Sequence, residues 1–62
     1  MTTYTIVWRM VDEGATLLKI ESVSKEYAEL AFDALCEKLS SGVLYFTINV
    51  NGRVREINRK EV

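Results

Sequence analysis

Over residues 4–11 the side chains alternate, with Tyr4, Ile6, Trp8 and Met10 on one side and Thr5, Val7, Arg9 and Val11 on the other. A period of two in a run rich in β-branched and aromatic types predicts a first strand. Asp12-Glu13-Gly14 interrupts it with a glycine free to take positive φ, so a hairpin leads into a second strand over about residues 15–23. There Leu18 and Ile20 face one way, and Leu17, Lys19 and Glu21 the other.

The period then changes. Ser24 is placed to cap a helix, and Ala28, Ala31, Phe32, Leu35 and Leu39 recur at three- and four-residue spacing, drawing one apolar stripe whose far side reads as polar. Gly42, after Ser40-Ser41, has the character of a glycine that ends a helix in left-handed conformation. Residues 43–50 alternate again, Leu44, Phe46, Ile48 and Val50 against Val43, Tyr45, Thr47 and Asn49. Asn51-Gly52 is a strong two-residue hairpin signal and predicts a fourth strand over residues 53–58, with residues 59–62 fraying.

The pattern is that of a single α+β domain spanning residues 1–62, ordered β-β-α-β-β, with one helix packed on one face of a four-stranded sheet. Its expected core is Ile6, Trp8, Met10, Leu18, Ile20, Phe32, Leu35, Leu39, Leu44, Phe46 and Ile48, with Ala28 and Ala31 bringing the helix close. In length and element order the chain resembles the β-grasp domains of the immunoglobulin-binding bacterial proteins G and L. That resemblance implies a parallel central pair formed by the first and fourth strands. The fourth strand, Arg-Val-Arg-Glu-Ile-Asn, is the most polar of the set and suits an edge better than a centre, so an all-antiparallel order 2-1-3-4 stands open beside the β-grasp order. The likeness is one of architecture and carries no activity.

Composition narrows the chemistry. With 62 residues, 48% apolar and 27% charged, the chain is an ordinary globular one, too short to bury a large core. It has no His, so an imidazole base and a neutral nitrogen ligand for zinc are excluded. Its one cysteine, Cys36, fits a reducing compartment and reads as a core-edge side chain, since no base accompanies it. Apolar runs reach only four residues and residues 1–4 lack a basic start, so neither a membrane span nor a signal peptide is expected and the protein reads as soluble and cytoplasmic. The glycines are all assigned to turns, leaving no phosphate-cradling loop, and no isolated carboxylate pair faces another. No enzyme activity, cofactor or metal is expected.

Three surfaces remain as candidates. Glu26, Glu29, Asp33 and Glu37 form an acidic row along the helix, either a solvated face or a dock for a basic partner, including one that normally meets a phosphate backbone. Val7 and Val11, Leu17 and Tyr45 make the sheet face away from the helix more apolar than a fully wet surface, which suggests a homo-oligomer interface. Arg53 and Arg55 project from one face of the fourth strand as possible phosphate contacts. They read better as a guard against edge-to-edge aggregation, because residues 41–62 carry a net charge of only +2 and residues 1–40 one of −3. The expected function is that of a non-enzymatic module docking on a protein partner, with nucleic-acid binding and a purely structural homo-oligomer as alternatives. In size and charge segregation the chain resembles the small inhibitory and accessory proteins of bacteriophages and mobile elements, which act by covering a partner's site.

Overall fold

A computed structural model describes residues 1–10 and 14–62. The expected turn at Asp12-Glu13 and the interface residue Val11 lie outside the described residues. Two strands rich in apolar residues, β1 (Thr2–Arg9) and β3 (Val43–Val50), pair antiparallel at the centre of the sheet, with Ile6 opposite Phe46 and Trp8 opposite Leu44. β2 (Thr16–Ser22) and β4 (Arg53–Glu61) form the edges, so the order is β2-β1-β3-β4, antiparallel throughout. This is the all-antiparallel alternative. The parallel pair implied by the β-grasp resemblance is absent, because the more apolar third strand takes the place beside β1 and the polar fourth is left at the rim.

α1 (Lys25–Lys38) links β2 to β3 and packs over β1, β2 and β3. Ser24 caps it as expected: its Oγ accepts the Tyr27 N–H at 3.2 Å, and its own N–H donates to Ser22 Oγ at 3.0 Å. The other end differs from expectation. The helix stops at Lys38, Leu39 is already extended, and Gly42 is three residues further on, at the entry to β3. The positive φ of Gly42, +96°, serves a tight corner, where Trp8 Nε1 donates to Ser41 O at 2.9 Å. A Cβ on Gly42 would lie 2.5 Å from that nitrogen and 2.8 Å from Arg9 O, so the corner is closed to any side chain.

The core is Ile6, Ala28, Phe32, Leu44 and Phe46, with Tyr4, Trp8, Ile20, Ala31, Leu35, Cys36, Leu39 and Val62 packed against it. Phe32 stacks on Phe46 with ring centroids 5.5 Å apart. The core departs from the expected set: Met10 and Ile48 are only half-buried and stand outside this cluster, Ile48 lining an open groove. Leu18 is exposed on edge strand β2, while Val43, assigned to the far face, is buried between its register neighbours Arg9 and Glu61. The C-terminus does not fray: β4 runs on to Glu61, the Val62 N–H donates to Gly42 O at 3.0 Å, and the Val62 side chain reaches the core.

The β3–β4 turn has both central residues at positive φ, Asn51 at 52° and Gly52 at 86°, as a type I′ turn requires. One irregularity follows it. Phe46 pairs with Asn58 but Thr47 pairs with Glu56, so Ile57 is a bulge residue without a partner of its own. The two glycine sites give a paired expectation for stability. Gly52→Ala should cost about 1 kcal/mol, since only backbone conformation opposes it. Gly42→Ala should cost at least about 2 kcal/mol, because strain and collision add, and urea denaturation of the two variants measures the difference.

Candidate interaction surfaces

An α-helix is about 10–12 Å across and strands are spaced about 4.8 Å apart, so one helix cannot roof four strands. α1 covers the β2 side and the centre, and all nine residues of β4 are exposed. Between α1 and β4 this leaves an open groove of about 660 Å³, with Tyr4, Ile48, Val50 and Ile57 as its apolar floor. Lys25, Arg53 and Arg55 stand around it. The groove continues toward Glu29, Asp33 and Asn58, past Phe32 and Phe46. Arg53 and Arg55 thus share one face, the helix side, opposite Val50 and Ile48.

The bulge at Ile57 decides which β4 side chains enter this groove. Before it, Arg53 and Arg55 are in register with helix-side residues; after it, Asn58 and Lys60 are, opposite Phe46 and Leu44. Arg59 is thereby turned to the open face, where its guanidinium lies 5.6 Å from the Tyr45 ring centroid and 3.8 Å from Glu61.

The acidic row is exposed in full, but its members do not share one surroundings. Glu29 and Asp33 border the groove, whereas Glu26 and Glu37 stand on the outer side of the helix. That outer side is not polar, contrary to the sequence expectation. Val23, Tyr27 and Leu30 are 72%, 57% and 71% exposed, and Ala34 is exposed as well. Tyr27, Leu30 and Ala34, at spacings of three and four, align as a ridge along the outside of α1, next to Glu26 and Glu37, and Val23 stands exposed just before the Ser24 cap. The signal was present in the sequence as a second apolar stripe, hidden because the stripe through Phe32 already accounts for a helix of this length.

On the open sheet face, Val7 and Tyr45 are register partners and half-buried, as expected of a pair on adjacent central strands. Lys19 flanks Val7 and Arg59 flanks Tyr45, so the row reads cation, apolar, apolar, cation. Threonines 3, 5 and 47, Asn49 and the Lys19–Glu21 ion pair at 3.1 Å fill much of the remainder. Leu17 sits at the β1–β2 register shift and is 46% exposed. Among the described residues this face is thus apolar at its centre, with Val54 of β4 as a further apolar side chain, 63% exposed.

Cys36 packs at the margin of the core. Among the described residues no group of three or more His, Cys, Asp or Glu is placed to hold a metal ion, and no helix is long and apolar enough to cross a membrane. The chain matches no family model, and neither the curated proteins nor the solved structures contain a significant match to it. Two substitutions two residues apart, on opposite faces of α1, test whether the ridge belongs to the fold. Leu30→Gln should change unfolding free energy by no more than about 0.5 kcal/mol, while Phe32→Ala should cost about 3–5 kcal/mol, both read by chemical denaturation.

Proposed function

We propose that the protein is a non-catalytic interaction module that docks through the outer side of α1 on a protein groove with an apolar floor and a basic rim, covering that site. The observation that supports this reading is the ridge of Tyr27, Leu30 and Ala34, solvent-facing on a helix whose other stripe is already buried. Apolar anchors at helical spacing are what a helix-in-groove contact uses, and Leu30, with Glu26 and Asp33 within one turn and Glu37 two turns on, has the character of an anchor inside a charged rim. The acidic side chains add rate and orientation more than affinity. The absence of His from the chain and the exposed, dispersed placement of the acidic row leave catalysis without an advocate. Inhibition by occupation of a partner's site is the simplest activity such a module has.

Affinity capture with the wild-type chain and with the Leu30→Gln and Glu26→Lys/Glu37→Lys variants tests the reading. Proteins retained by the wild type should be lost with Leu30→Gln at every salt concentration, and with the charge reversal mainly at low salt, because exposed charges are screened within roughly 10 Å at 0.1 M. Retention of the same proteins by Leu30→Gln would overturn it. So would a wild-type chain that retains nucleic acid through Arg53 and Arg55 and no protein.

A further inference from the structure

The molecule carries both halves of the contact just described. Its outer helix ridge is apolar beside acids, Glu26 and Glu37; its α1–β4 groove is apolar beside bases, with Tyr4, Ile48, Val50 and Ile57 below Lys25, Arg53 and Arg55. Resting on the proposed docking role of the ridge, we propose that the partner is a second copy of this chain, each copy seating its Tyr27–Leu30 ridge in the other's groove over β4.

Three observations carry the choice of occupant. The charges are complementary at the β4 end of the groove, where Lys25, Arg53 and Arg55 stand against Glu26 and Glu37 beside the ridge, while Glu29 and Asp33 border only its other end. The groove exists because one helix is too narrow for the sheet, and a second helix is the element of the right width to complete the layer over the uncovered strand. Ridge and groove lie on the same side of the sheet, which a two-fold axis can exchange, so the contact closes as an isologous dimer and does not propagate into a filament. In that dimer the exposed residues Leu30, Val50 and Ile57 leave water together, and Glu26 and Glu37 approach Arg53 and Arg55.

A charge exchange between two variants tests the arrangement. Glu26→Lys/Glu37→Lys places a basic ridge against a basic groove, and Arg53→Glu/Arg55→Glu an acidic ridge against an acidic groove. All four positions are exposed, so far-ultraviolet circular dichroism should show both variants folded. Sedimentation equilibrium should find the wild type dimeric at about 100 μM and each variant alone weakened by on the order of 100-fold. An equimolar mixture of the two variants should dimerise again, because both of its contacts then join opposite charges. A wild type that stays monomeric at that concentration, variants that dimerise unaided, or a mixture that stays monomeric would each overturn the second copy as occupant. A monomeric wild type that nevertheless captures a protein through Leu30 would leave the docking role of the ridge standing with a different partner. Capture and self-association both unaffected by Leu30→Gln would remove both.

Discussion

The width of one helix governs this molecule. A four-stranded antiparallel sheet presents one face to a single roofing element that reaches across no more than three of its strands, so one edge must remain uncovered. The chain resolves the mismatch by composition. The strands that meet α1 supply Ile6, Leu44 and Phe46 to a closed core, and the strand beyond its reach is written in Arg, Glu, Asn and Lys. Ile57 and Val54 are the exceptions on β4, and it is the exception on the helix side, Ile57, that turns an uncovered edge into a groove.

A second constraint holds the frame in place. Trp8 cannot enter the core completely, since its indole N–H needs a partner, and the carbonyl of Ser41 provides one at the bend between helix and β3. The bend can come that close only because residue 42 has no side chain. The same glycine's carbonyl receives Val62, so the ends of β1 and β4 and the start of β3 converge at one backbone position. The same three strands supply the floor of the groove at their other ends, through Tyr4, Ile48, Val50 and Ile57.

Much of this was legible in the sequence, and the reasons are specific. Alternation over residues 4–11 and 43–50 marks two strands and Ser24 the helix start, while the polarity of residues 53–58 is compatible with an edge but leaves two strand orders open, which only the pairing decides. What escaped notice depends on pairing. The bulge at Ile57 arises from how β4 meets β3, and nothing local to Glu56-Ile57-Asn58 announces it. Its effect is large, because every side chain after it changes face. The docking of Val62 depends on a carbonyl 20 positions earlier, and terminal residues carry no periodic signal of their own. The acidic row was found, but a single row of charges does not tell which members border a groove that only tertiary packing creates. The ridge at Tyr27 and Leu30 is masked in the sequence by the stripe through Phe32, because one apolar stripe is sufficient to explain a helix of this length.

The sheet order also sets the entropic cost of each strand pairing. The β3–β4 hairpin closes over a two-residue turn, whereas Ile6 finds Phe46 only after about 40 intervening residues have been drawn into a loop. The pairing that creates the core is therefore the entropically costly one, and the peripheral strand β4 is brought to the sheet cheaply on the back of β3. The seam on which the core depends thus carries the largest loop-closure cost of the sheet, and the strand that borders the groove one of the smallest.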